Sequence, residues 1–439
     1  MSGSYFPIWR KVDELEPGQV VAPDEYLPAG QTVAMGVQHV VAMFGSTVLA
    51  PLLMGFDANL AILMSGIGTL LFFLFVGGRV PSYLGSSFAF IGGVVAVTGY
   101  AGSGPNPNIG LALGAIIACG AVYTLIGLIV WYANARGNGS AWIEKLMPPV
   151  VTGAIVAVIG LNLAPIAAKG AMGSGSNFEA AMSIMTILCV GIIAVFTSGT
   201  IQRLLILVGL ILASVLYWVF ANVMGLGQPI DFSGIQNAAW FGLPSLSAPQ
   251  FNLSAISVIV PVAVILVAEN LGHIRAVSAM TGQDLDKYLG RAFVGDGVAT
   301  MLSGSVGGTG VTTYAENIGV MAVTRIYSTI VFVVAALFAI LLGFSPKFGA
   351  LIHSIPAPVL GGVAVVVFGL IVIAGARIWV VNQVDFSDNK NLIVAAVTMI
   401  LGAGDFKVSM GVFELNGIGT ATFGAILLYA LLNCRKSTD

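Results

Sequence analysis

The chain has 439 residues, 57% of them hydrophobic and 8% charged, with a formal charge of −2, where a soluble protein carries roughly 25% charged residues. With a mean hydropathy of +0.98, this is a polytopic membrane protein, with no length left for a soluble domain and no nucleic-acid partner expected. The near-neutral balance says little about other partners, and Cys119, Cys189 and Cys434 show no paired spacing, so neither a disulfide framework nor a metal site is expected.

Residues 1–30 begin MSGSYFPIWRKVDELEPGQVVAPDEY. They are mixed and polar, lack the charged-then-apolar pattern of a cleaved signal, and read as a cytoplasmic lead-in. Beyond them, apolar runs between charges and Gly, Pro or Asn clusters fall at 32–53, 58–78, 86–99, 108–134, 147–167, 180–197 and 203–226. A second set follows at 255–275, 290–304, 312–323, 326–344, 357–376, 391–404 and 416–433. A full span takes about 20 apolar residues; the runs starting at 86, 290, 312 and 391 are shorter, which is how broken helices look in sequence. The expected fold is all-α with fourteen transmembrane segments, seven in residues 31–226 and seven in 227–434, followed by a cytoplasmic tail at 435–439.

With the N-terminus in the cytoplasm, fourteen of the seventeen Lys and Arg fall on that side and only Lys169, Lys347 and Lys407 on the other, as basic residues near span ends favour the cytoplasmic face. Both termini are then expected inside. An internal repeat supports the count: PVVTGAIVAVIGL at 149–161 matches PVLGGVAVVVFGL at 358–370 in seven of thirteen positions, and SSFAF at 86–90 resembles TTYAE at 312–316. The members of each pair lie seven spans apart. Because seven is odd, the halves run in opposite directions through the bilayer, an inverted repeat of the kind secondary transporters use to place substrate near the midplane.

The stretch GGTGVTTYAENIGVMAVTR at 307–325 passes from small and β-branched residues that suit an extended segment to an apolar run that suits a short helix. Glu316 stands at the join, between long apolar runs, with no basic residue within eight positions on either side. A charge at mid-bilayer costs about 2.5–3.5 kcal/mol on insertion scales, so such a residue marks a functional site. The segments from Ser86 to Phe90 and from Val311 to Ala315 are expected to be short strands in broken spans 3 and 10 that pair with each other, as irregular backbone inside a bilayer requires. The following helices then aim their positive dipole ends at one place.

Few other ionisable residues fall within spans. Glu269 and His273, in VAENLGHIRAV, are four apart on one helix face, about 6 Å from each other, and read either as a proton-sharing pair or as a helix-stabilising one. His39 reads as a core histidine with a backbone or hydroxyl partner. Asn317 reads equally as a backbone anchor or a ligand contact. Asp296 lies close to the end of its run. Phe88 and Tyr314 hold equivalent places in the two halves, where they either sandwich a flat ring or pack. Backbone donors, carboxylates and aromatic faces suit a small, planar, neutral solute with N–H and C=O edges better than an inorganic ion.

ENIGVMAVTR at 316–325 fits a signature of Gln or Glu, then Asn-x-Gly, four free positions, Thr, and Arg, Lys or Gly. With AENLGH at 268–273, YLGSSFAF at 83–90 and QHVVAMFGSTVLAP at 38–51, the chain resembles the nucleobase/ascorbate transporters from about residue 30 to 433, most closely the family's uracil and pyrimidine permeases. The resemblance implies a core domain of spans 1–4 and 8–11, a gate domain of spans 5–7 and 12–14, and a homodimer in the bacterial cytoplasmic (inner) membrane. It matches Glu269 and Glu316 to substrate-binding carboxylates and the backbone of Phe88 and Ala315 to uracil contacts, with Ser87 and Tyr314 beside them. It places His273 in the proton-coupling network with Glu269 and Glu316, His39 and Ser46 near it, and Phe368 facing the site from the gate. Two positions depart from the uracil permeases, which carry Gly at Ala315 and Tyr at Phe368.

The expected activity is import of uracil or a related pyrimidine by proton symport, the proton serving as coupling ion without any cofactor. A xanthine or purine symporter of the same family is the alternative. An anion carrier on the same fold is less in keeping with an acid at Glu316. No nucleophile, metal cluster or nucleotide loop points to an enzyme.

Overall fold

The computed structural model describes residues 4–12, 19–100, 104–136, 141–411 and 413–433; Cys434 and the 435–439 tail lie outside them. Every one of the fourteen expected segments is helical. Among the described residues, eight helices are long and apolar enough to cross a membrane: Ala29–Met54, Ala58–Phe75, Ile109–Ala135, Pro149–Met172, Asn177–Phe196, Leu205–Val223, Leu253–Thr281 and Ala357–Val381. They are spans 1, 2, 4, 5, 6, 7, 8 and 12. Span 11, Thr329–Gly343, turns through 81° into Pro346–His353. Spans 13 and 14, Asn389–Ala403 and Gly417–Asn433, are shorter apolar helices. Span 9, Leu289–Val306, and the helices of spans 3 and 10, Ala89–Thr98 and Ala315–Thr324, complete the set.

Side chains set several of these ends. Asp57, Ser176 and Asn252 each accept a hydrogen bond from a backbone N–H three residues on, which satisfies one of the donors that a helix start leaves open.

The strands come in three pairs: β1 (Arg10–Lys11) with β2 (Glu25–Tyr26), β3 (Leu84–Ser86) with β4 (Val311–Thr313), and β5 (Val408–Met410) with β6 (Phe413–Leu415). The central pair differs from expectation in its limits. β3 ends at Ser86, so Ser87 and Phe88 form the turn into the next helix, and Phe88 already has helical backbone angles. β4 stops at Thr313, and the helix begins at Ala315, one residue before Glu316. The reason is local: Ser87 Oγ accepts from Ala89 N at 3.3 Å, so the chain turns before the ladder can extend. Asp296 also moves from its expected place. It lies mid-helix in span 9 and is fully buried.

Packing follows the repeat. Spans 4 and 9 pack together, as do their counterparts 11 and 2, while 6 on 7 is echoed by 13 on 14. Spans 5 and 12, which hold the PVVTGAIVAVIGL and PVLGGVAVVVFGL segments, pack along their whole length. At that seam glycines replace side chains with backbone: a Cβ on Gly375 would lie 2.5 Å from Gly153 O, and one on Gly361 would strike Gly170. Trp379 Nε1 donates to Val150 O at 3.1 Å across it. Association of helices in lipid rests on such close approach, since lipid is as apolar as the side chains. The repeated motif is thus the sequence of this seam. Gly361→Val should push spans 5 and 12 apart at a cost of about 1–3 kcal/mol, read as a lower melting temperature and less monodisperse protein in detergent. Gly191→Ala, at a glycine with nothing within 4 Å of a new Cβ, should change neither.

Candidate functional site

The site is built where the two broken spans meet. β3 and β4 pair antiparallel, Leu84 opposite Thr313 and Ser86 opposite Val311, with Ser87 N donating to Gly310 O at 3.0 Å and Tyr314 N to Tyr83 O at 3.0 Å. Groups that the two strands cannot satisfy are met from the second span of each repeat. Leu84 N donates to Thr69 Oγ1 at 2.9 Å, and Val311 N to Thr300 Oγ1 at 3.2 Å. Thr69 lies in span 2 and Thr300 in span 9, so the device is repeated with the fold.

Tyr314 belongs to this framework. Its ring lies against Gly85, and its hydroxyl donates to Ser86 O at 2.8 Å and accepts from Thr47 Oγ1 at 3.2 Å. Of the two readings of Tyr314, packing is the one its ring takes. Phe88, half-buried, meets Phe368 of span 12 edge-on, with ring centroids 6.1 Å apart at 81°.

The carboxylates gather at the end of β4. Glu269 of span 8 lies near Glu316, and both are only partly buried. Ser46 of span 1 donates to Glu316 Oε1. His273, one turn beyond Glu269, has Nδ1 2.8 Å from Thr313 Oγ1, which fixes the ring against the strand. Ala315 is exposed, and Cβ atoms built on Gly272 and Gly319 would meet nothing within 4 Å. Small exposed residues continue from there, Gly272 and Ala276 along span 8, Ala315, Gly319 and Ala322 along span 10. They lead from the carboxyls towards the end of the bundle that bears Arg325.

A second tie joins spans 1 and 10. Asn317 Nδ2 donates to His39 Nδ1 at 3.0 Å and to His39 O at 3.1 Å. His39 is 1% exposed and packs on Phe332 at 4.5 Å. Its partner is thus a side-chain amide, whereas the sequence pointed to backbone or hydroxyl, and Asn317 acts as an anchor. His39 and Ser46 lie seven residues apart, two helical turns, so one face of span 1 holds both ends of this contact.

Three residues absent from the sequence-based set complete the neighbourhood. Asp296 Oδ2 accepts from Asn270 Nδ2 at 2.5 Å, and Asn270 also donates to the Tyr123 hydroxyl at 2.9 Å. Asp296 lies near Glu269, a third acid in the same neighbourhood. Asn270 follows Glu269 in sequence and was within reach of inspection; Asp296 stood out as an ionisable residue but read as lying close to a span end, and Tyr123, from another span, carried no local signal. Among the described residues no group of three or more His, Cys, Asp or Glu is arranged to hold a metal ion. Tyr314→Phe should leave Ser86 O unpaired and cost about 1–3 kcal/mol, seen as a lower melting temperature with ligand affinity nearly unchanged.

The Permease family Xan_ur_permease matches the chain over residues 30–411. The chain is 67% identical over 434 residues to the candidate pyrimidine permease RutG of Escherichia coli strain K12, covering 99% of this chain and 96% of that protein. It is 41% identical over 426 residues to a uracil permease of Paenibacillus larvae (94% and 97% covered). To a uracil permease of Escherichia coli K12 it is 38% identical over 430 residues (96% and 96% covered). Among solved structures it is similar to the transmembrane domain of a cyanobacterial bicarbonate transporter, BicA, with TM-score 0.63 and 16% identity over 91% of this chain and 97% of that one. It is also similar to the murine anion transporter Slc26a9 in the inward-facing state, with TM-score 0.62 and 11% identity over 92% and 68%. These structures share the fold, a seven-plus-seven inverted repeat.

Proposed function

This chain belongs to the Xan_ur_permease family of permeases, and on that premise we propose that it imports uracil or a related pyrimidine nucleobase together with a proton. The observation that carries the reading is the convergence of Glu269, Glu316 and His273 on the end of the β3–β4 pair. There two carboxyls offer hydrogen bonds to ring N–H groups, beside an exposed Ala315. The names of the relatives, pyrimidine and uracil permeases, support the same class.

In this reading a proton binds to the Glu269, His273 and Glu316 network first, and the base follows. The added proton lowers the negative charge on the two carboxyls and with it the penalty of carrying that charge through the membrane, so a core of spans 1–4 and 8–11 shifts against a gate of spans 5–7 and 12–14. The Phe88–Phe368 contact parts and re-forms at the boundary between them. Deprotonation towards the cytoplasm then releases the base. Inward proton flow drives uptake, with a potential component of about 2.3 kcal/mol per charge per 100 mV. The working unit is a homodimer in the bacterial cytoplasmic membrane with both termini inside.

An anion carrier is the rival that the fold brings forward, since BicA and Slc26a9 are named for bicarbonate and anion transport. At 16% and 11% identity they speak for architecture only, and acids at 269 and 316 repel an anion. Xanthine or purine transport remains the second reading within the family.

Uptake of radiolabelled uracil into proteoliposomes should rise when the outside is made acidic and collapse with a protonophore; accumulation indifferent to the gradient would refute proton symport. Glu316→Gln should cut uptake about 10- to 100-fold, as expected when a carboxyl that carries the proton and pairs the base is replaced by an amide that cannot be protonated. Wild-type transport by that variant would remove Glu316 from the site.

A further inference from the structure

The segment before span 1 is bound into the fold. The Tyr5 hydroxyl shares its one proton between Leu74 O at 2.8 Å and Phe75 O at 3.0 Å at the end of span 2, and Arg79 donates to Ser4 O at 3.0 Å. Trp9 Nε1 donates to Thr329 Oγ1 at 3.0 Å, and its ring stacks on Phe73. Further on, Val21 N donates to Arg325 O at 3.0 Å, Tyr327 N returns to Val21 O at 2.8 Å, and Thr329 reaches Pro23 O through both N (3.2 Å) and Oγ1 (3.0 Å). Arg325 is the residue at which the Glu316 helix stops, in left-handed conformation with φ 56°, a strained geometry for a side chain with a Cβ.

The opposite face carries the counterpart. Residues 239–252, which lead into span 8, run across the other end of the same helices. Ser247 N donates to Val306 O at the end of span 9 (3.1 Å), and Gln250 N to Gly110 O at the start of span 4 (2.8 Å). Span 9 corresponds to span 2 in the repeat. Both straps are seated by a glycine after the corresponding span: a Cβ on Gly77 would lie 2.6 Å from Tyr5 O, and one on Gly307 would lie 2.7 Å from Ser247 N. Each half of the protein thus opens with a strap lying across one face of the bundle.

We propose that the strap formed by residues 4–12 and 19–28 is a positioning element of the substrate site, with Val21 and Pro23 holding the chain from Arg325 to Thr329 at the end of the Ala315–Thr324 helix, and with it Glu316. It touches no substrate. The site's role in binding a nucleobase rests on the function proposed above, whereas the strap's hold on the helix does not.

Hydrogen exchange on the purified full chain tests it without ligand. In Val21→Pro, which removes the N–H to Arg325 O, and in Thr329→Val, amides in 315–325 should exchange about tenfold faster than in the wild type, while Thr329→Ser restores the wild-type rate. In the same two variants the Kd for uracil should rise about tenfold. Unchanged exchange in 315–325, or an equal acceleration throughout the protein, overturns the proposal. A wild type that binds no pyrimidine overturns the nucleobase reading instead, and leaves exchange to decide the strap.

Discussion

Everything in this structure depends on how two interrupted spans satisfy their backbone inside a bilayer. A helix closes its own hydrogen bonds; an extended segment does not, and lipid offers no replacement. The answer is the three-residue pairing of β3 with β4, sealed by Thr69, Thr300 and the Tyr314 hydroxyl. Because each strand comes from a different half of the chain, the pairing also fixes where the halves meet.

That meeting point explains the chemistry. Two short helices start there, and the first turn of one holds Glu316. Span 8 brings Glu269 and His273 to the same end of β4, and span 9 brings Asp296 near Glu269. Each polar group is held by a neighbour from a different span: Ser46 on Glu316, Thr313 on His273, Asn317 on His39, Asn270 on Asp296. The ion pairs the structure shows, such as Arg275 with Asp286 at 3.4 Å and Lys407 with Asp405 at 3.3 Å, lie towards the span ends. Glu316 and Asp296 take uncharged hydrogen-bond partners, Ser46 and Asn270.

The repeat has a physical cause at each level. The 149–161 and 358–370 segments are alike because both form one seam, where glycine lets two helices approach to backbone contact. Thr69 and Thr300 are alike because each caps a strand edge. The signature that begins at Glu316 ends at Arg325 because that residue has positive φ, and this accounts for Gly as an allowed alternative there.

The sequence by itself determined the membrane class, the fourteen segments, the inverted halves and the two acids, because burial in lipid writes itself as long apolar runs, and a carboxylate inside one stands out. Limits of the central strands were misplaced by two to four residues, since side-chain turns such as Ser87 to Ala89 compete with the ladder on a scale that composition does not show. Only the tertiary structure decided that Tyr314 supports the framework, that Asp296 stands beside Glu269, and that residues once read as a lead-in clasp the far end of the Glu316 helix. Those facts are contacts between residues tens to hundreds of positions apart, and no local pattern encodes them.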